Sequence, residues 1–394
     1  MDPKRRVEAA IRKAWTYLEA NQAERAIECF DEAIAADAAS ETVWLEKGVA
    51  LYRLKRHVGA YECFEAAVAR APKSVTALVN RAKTLLLLGR REAALEGFEA
   101  VLALVPDHQS ALLARGELLE MAGDVAGAFA LYERAIAARP KEAEPWLRKG
   151  VAILRHGGEA RREEALETIT RAVELRPRYV DALHHRGLVL RAIGRPKDAY
   201  RSFVEALKAE DAPDETVAAT GDCALELGLA RDALALAERI LKRGQDSPLG
   251  WDLKSRAQAK LGSLASSALC AAMACMVVGR LDSALVEIER AIRIDPRYGP
   301  ALSNRAVILE RLGRPEEALE AYDRALALEP AAIPILLNRG ALLLNVLRRR
   351  PDAIQCFRKV VRLDPRKWFD LPSDIRQEVD RLEVDPQAAG TAEE

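Results

Sequence analysis

Residues 41–74 read ETVWLEKGVALYRLKRHVGAYECFEAAVARAPKS, and this stretch decides the fold. It carries Trp44, Gly48, Ala60, Phe64, Ala67 and Pro72. A step of 34 residues lands on Leu78, Ala82, Ala94, Phe98, Val101 and Pro106. A second step lands on Leu112, Gly116, Ala128, Tyr132, Ala135 and Pro140. Spacing and side-chain chemistry persist together, so the chain repeats one structural unit.

Two apolar stripes at helical spacing flank a short break in each unit, as in 41–54 and 57–69. Small residues, Gly48 or Ala82 on the first helix and Ala60 or Ala94 on the second, let the two axes approach. Phe64, Phe98 and Tyr132 supply the bulk between successive units. Gly-Arg pairs at 89–90, 194–195, 279–280 and 313–314 close the first helices. There glycine frees the backbone, and arginine is expected to face the negative helix end. Pro72, Pro106, Pro140, Pro177, Pro296, Pro330 and Pro365 stop the second helices. Half the residues are hydrophobic and only 5% aromatic, a balance that feeds helices and starves sheets.

These residues resemble the tetratricopeptide repeat, in which Trp, Leu-Gly and Tyr on one helix precede Ala, Phe, Ala and Pro on the next. The match runs over nearly the whole chain, in units near 7–40, 41–74, 75–108, 109–142, 143–179, 180–213, 214–247, 265–298, 299–332 and 333–367. One departure recurs. Where the family has Leu before the Gly, this chain has Lys47, Arg81, Arg115, Lys149, Arg186, Arg305 or Arg339. The resemblance implies an all-α, right-handed superhelical solenoid of about ten units.

The irregularities set the expected domains. The fifth unit has about three extra residues around 155–162, and the last gains about one around 348–350; both insertions read as longer turns. At 248–264 a first helix, with Trp251 and Leu261-Gly262, has no second helix before the next unit begins. The expectation is a register break, with 248–261 capping an array of seven units and its Asp252, Lys254, Arg256 and Lys260 facing water. The alternative is a continuous array with a local distortion. The expected domains are an N-terminal array at 7–262, a C-terminal array of three units plus a capping helix at 263–384, and a disordered tail at 385–394. That last cap, at 372–382, buries Ile375, Val379 and Leu382 and shows Asp374, Arg376, Glu378 and Asp380 to water.

Motifs for chemistry are lacking. His184-His185 are neighbours, so their side chains diverge by ~100° and suit no shared metal. Cys270 and Cys275 lie five apart, a spacing better suited to packing than to zinc. No phosphate-cradling glycine loop or nucleophile elbow occurs, and the expectation is a non-enzyme with no cofactor and no metal. Sixty basic residues balance sixty acidic ones, which argues against a dedicated nucleic-acid or membrane-surface binder. The six cysteines form no C-x-x-C pair and sit mostly in apolar helical stretches, as expected of a reducing, cytoplasmic setting. The charge-free run between Lys260 and Arg280 reads as a buried or groove-lining helix, with a membrane span as its alternative.

The resemblance also implies that first helices line a groove for extended protein segments. In the C-terminal array the matching positions are Leu269, Cys270, Met273, Met276 and Val277, then Ser303, Asn304 and Val307, then Leu337, Asn338, Ala341, Leu344 and Asn345. This run is nearly free of charge. Asn304 and Asn338 stand where the family's asparagines clamp a peptide backbone, and Asn80 matches them in the third unit. The expected partner is a protein or peptide with an apolar segment, and the expected role is an interaction scaffold. A ligand-responsive regulatory module and a nucleic-acid-associated protein are the alternatives. The N-terminal groove mixes Glu46, Arg53, Lys83, Glu117, Glu120, Arg148, His184, Arg191, Asp222 and Glu226. Lys83 and Asn80 leave the family's carboxylate clamp for chaperone tails incomplete.

Overall fold

The computed structural model describes residues 3–381, and the described residues form 22 α-helices without a strand. The chain divides into two compact bodies, 1–194 and 195–394. In the first, helices come in antiparallel pairs: α1 (Pro3–Glu19) with α2 (Ala23–Ala36), α3 (Glu41–Arg53) with α4 (His57–Arg70), and α5 (Val75–Leu87) with α6 (Arg91–Leu104). There follow α7 (Gln109–Met121) with α8 (Val125–Ala138), α9 (Ala143–His156) with α10 (Arg162–Leu175), and α11 (Val180–Ala192). The second body runs through α12 (Pro196–Ala206), α13 (Asp214–Glu226), α14 (Ala230–Arg243), α15 (Pro248–Lys260), α16 (Leu264–Val277) and α17 (Leu281–Ile294). It ends with α18 (Gly299–Arg311), α19 (Pro315–Leu328), α20 (Ile333–Asn345), α21 (Arg350–Leu363) and α22 (Ser373–Arg381).

In several repeats the small residue of the first helix seats the large residue of its own second helix. A methyl placed on Gly48, Gly116 or Gly340 would meet Phe64, Tyr132 or Phe357 at 2.6, 2.6 and 2.7 Å. Tyr132 also clusters with Ala152 of the next first helix, so the ring fills both the pair and the step to its neighbour. The arginine after the turn glycine differs from expectation. Arg195 and Arg314 reach forward to Asp198 and Glu317, at 2.8 and 2.6 Å, and do not turn back to the preceding helix end. A carboxylate one turn ahead is a full opposite charge, whereas a helix end offers a partial one.

The recurring basic residue also finds its reason in the packing. Lys47, Arg81, Arg115, Lys149, Arg305 and Arg339 each pair with a carboxylate 16 residues earlier: Asp31, Glu65, Glu99, Glu133, Glu289 and Asp323. Each pair ties a first helix to the second helix of the preceding repeat. Lys254 and Glu238 make the same pair at 3.3 Å, which places α15 in the regular register. Its tryptophan agrees. The indoles of Trp44, Trp146 and Trp251 each donate to the carbonyl six residues back, at 3.0, 3.1 and 2.7 Å.

Around 248–264 the arrangement departs from the expected end-cap. A cap meets solvent on its outer side, but α15 packs against both α14 and α16. Gly262, at φ 81°, and Gly279, at φ 76°, adopt the left-handed turn that elsewhere joins a first helix to its second, as at Gly89 and Gly313. The closing bonds match as well: Ser263 N–H to Gln258 O and Arg280 N–H to Cys275 O, both at 2.9 Å, repeat Arg90 to Leu85 and Arg314 to Leu309. Thus α16 is the second helix of α15 and the first helix of α17. Two such turns follow each other without the proline-bearing turn that normally separates repeats. The array boundary expected at 262/263 falls inside the second body.

Coverage on two sides explains why α16 lacks charge. Ala268, Ala272 and Met276 join Ala284, Ile288 and Ala301 in one core, while Ser267 meets Ser255 of α15 through its carbonyl at 2.9 Å. A helix that packs on two sides needs apolar residues on both, and Ala268, Cys270, Ala272 and Met276 are its buried residues, while Leu269, Met273 and Val277 stay half-buried. At 14 residues α16 is about 21 Å long, short of the ~30 Å hydrocarbon core. Among the described residues no helix is long and apolar enough to cross a membrane.

The insertions behave as expected. The fifth repeat turns through Gly158, at φ 65°, into a short 3-10 helix at Glu159–Arg161 before α10 begins. At the C-terminal end Leu371, Ile375 and Val379 close the core of Leu343, Ile354 and Phe357. Asp374 and Glu378 do more than meet water, since both accept from Arg350, at 2.9 and 2.6 Å. Leu382 and the tail at 385–394 lie outside the described residues, and Asp380 lies beyond the described side chains.

Candidate functional site

The C-terminal positions expected to line a groove are divided by the packing. Leu269, Met273 and Val307 are half-buried around the core shared by α16, α17 and α18. Met276 and Cys270 are 7% and 3% exposed, so they serve mainly packing and present little surface. On α20, Asn338, Ala341 and Asn345 are exposed, while Leu337 and Leu344 are half-buried over the last core. Asn304 donates its amide to Pro300 O of its own helix at 2.8 Å, leaving its side-chain oxygen as an acceptor. Asn338 lies beside the Tyr322 hydroxyl, which donates to Glu310 at 2.5 Å. Asn80, half-buried on α5, belongs to the other body.

A second site emerges in the first body, where α7, α9 and α11 surround a cavity of about 490 Å³. Of the charged N-terminal groove positions, Glu117, Glu120 and Arg148 line it. Glu120 is its hub. Its side chain is 9% exposed and accepts from the Tyr132 hydroxyl, Arg155 Nη1 and His156, each at 3.1 Å. Burial first, and then the nearby negative charge of Glu120, push the Tyr132 hydroxyl well above its ordinary pKa, so it remains a donor. Glu117 takes Arg148 at 2.5 Å, and Arg148 also reaches Glu144 at 3.3 Å. Burial raises the Glu117 carboxyl despite that partner.

On the far wall His185 Nδ1 donates to Asp181 O at 2.8 Å, because a carbonyl can only accept. Burial lowers the pKa of this histidine, so the neutral ring turns Nε2 outward as an acceptor. His184 stands edge-on to His185, with ring centroids 5.2 Å apart. Sequence reading missed this cavity because its wall combines first helices with Tyr179 in a turn and Tyr132 from a second helix. The spacing of Tyr132 and Glu120, 12 residues apart, recurs in Tyr322 and Glu310 and was the available signal.

Comparison with known proteins agrees with the geometry. Family models described as tetratricopeptide repeat match residues 11–75, 79–143 and 299–331. An uncharacterised protein of Methanocaldococcus jannaschii is 39% identical over 69 residues, covering 18% of this chain and 77% of that protein. The chain belongs to the tetratricopeptide-repeat family. Among solved structures, a tetratricopeptide repeat protein from Parabacteroides merdae superposes with a TM-score of 0.52 at 18% identity, over 64% of this chain and 99% of that one. PilW, a type IV pilus biogenesis factor, gives 0.47 at 20% identity, over 53% of this chain and 96% of its own. Proteins of this repeat class are generally protein-interaction scaffolds.

Proposed function

We propose that the chain is a non-enzymatic scaffold that holds an extended, uncharged segment of a partner polypeptide along the first helices α16, α18 and α20. The carrying observation is where these helices send their charges. Arg305 and Arg339 are committed to Glu289 and Asp323, and Glu310 to the Tyr322 hydroxyl. What remains is Leu269, Met273, Val277, Val307 and Ala341 with Asn304, Asn338 and Asn345 among them, and Arg311 at the end of α18 as the single charge of these helices that no ion pair or side-chain hydrogen bond takes up among the described residues. Methionine and aliphatic side chains adapt to an apolar segment, while asparagine meets a peptide backbone as both donor and acceptor. Asn80 is the corresponding polar mark in the first body. In this reading the thiols stay reduced, the protein acts in the cytoplasm, and no cofactor takes part.

The test begins with the partner recovered on the purified chain, whose affinity is then measured by fluorescence anisotropy. Asn338→Asp with Ala341→Glu places charge on two exposed positions, and about a tenfold loss of affinity is expected. Unchanged affinity in a variant with native circular dichroism would exclude this face.

A further inference from the structure

The cavity between α7, α9 and α11 has a chemistry opposite to that of the nearly uncharged C-terminal face, and its reading stands independently of the proposal above. Around it lie three carboxylates, Glu117, Glu120 and Asp181, against two guanidinium groups, Arg148 and Arg155. The guanidinium groups are already spent: Arg148 on Glu117 and Glu144, and Arg155 on Glu120. The Asp181 carboxylate has no hydrogen-bond or ion-pair partner among the described residues. Next to it His185 offers a bare Nε2. Both guanidinium charges of this wall are thus paired, while the Asp181 carboxylate and His185 Nε2 are acceptors left open, beside the Tyr179 hydroxyl, which can donate or accept.

The remainder of the lining is apolar. Leu147 and Val151 are buried, and Met121 is 59% exposed at the rim. An acceptor-rich end beside an aliphatic wall suits a cation carried on a methylene stem. We infer that this cavity takes a basic side chain, arginine or lysine, of a partner polypeptide, its charged head at Asp181 and His185 and its stem along Leu147, Val151 and Met121. Free carboxylate is the recognising group, and the buried Glu120 hub holds the wall in place. An acidic side chain would instead meet Asp181 and Glu117 with like charge.

Calorimetric titration of the full chain tests this with blocked pentapeptides, acetyl-Gly-Ala-X-Ala-Gly-amide, in which X is Arg, Lys, citrulline or Glu. The arginine and lysine peptides are expected to bind, with citrulline, the neutral isostere of arginine, at least about tenfold weaker and glutamate weakest. Asp181→Asn is expected to cost about tenfold, since the carboxylate is exposed and its removal leaves no buried group unpaired. Asp252→Asn, an exposed carboxylate in the other body, is the control and is expected to change nothing. Spermidine separates the two sources of such a cation. Binding tighter than that of the arginine peptide would overturn the polypeptide assignment. No binding of the basic peptides, equal binding of citrulline, preference for glutamate, or equal losses from the two substitutions would each overturn the inference.

Discussion

Gly340 lies under the ring of Phe357, and a methyl added there would meet Cε1 at 2.7 Å. Alanine gains ~1 kcal/mol over glycine in a helix, but overpacking against a buried ring costs about 1–3 kcal/mol. Gly340→Ala is therefore expected to be net destabilising by roughly 1 kcal/mol in urea unfolding. The Cys63 thiol carries a second prediction. Burial pushes it up from 9.0 to about 11. Above pH 9 the unfolded chain ionises this thiol while the folded one keeps its proton, so stability is full below pH 9 and is lost as the pH rises to about 11. Iodoacetamide at pH 8.5 is expected to spare Cys63 in the native protein and to modify it after unfolding. At this scale the repeat made Gly, Ala and Phe positions legible, because they keep one role in every copy. It hid the partner of Arg155, since that guanidinium is placed by neighbours that differ from copy to copy.

At the scale of elements, the basic residue before the repeat Gly is a strap to the previous second helix. Each strap is partly solvent-exposed, as with Arg115 and Glu99 at 31% and 48%. Such pairs contribute about 0.2–1 kcal/mol and weaken with salt. A double-mutant cycle on Arg115→Met and Glu99→Gln is expected to give a coupling in that range at low salt, falling toward zero at 1 M. The sequence displayed the basic half of each strap; its acidic half is visible only once the 16-residue reach between adjacent helices is known. Helix α22 is the other element that rests on few contacts. Ile375 is fully buried against the last pair, and Ile375→Ala is expected to cost about 2–5 kcal/mol, read from the urea midpoint.

Over the whole molecule the repeat and its period were legible from prolines and aromatics, because each marks a helix end or a core. What the sequence could not show was that one helix serves two repeats. The missing second helix left the same trace as a chain break, since α16 bears the apolar pattern of both roles at once. Covered by α15 and α17, α16 is expected to exchange its amide hydrogens more slowly than α22, which packs at one end of the second body. A further consequence follows from parity. First helices touch first helices one place further on: α13 meets α15, and α16 meets α18. Regular repeats advance by two helices, so odd-numbered elements stay odd; the shared helix advances the count by one. From α16 onward, even-numbered helices hold the office that odd-numbered ones held before. The second body thus changes the roles of its two layers midway, by the omission of a single helix and with no hinge or linker to mark the exchange.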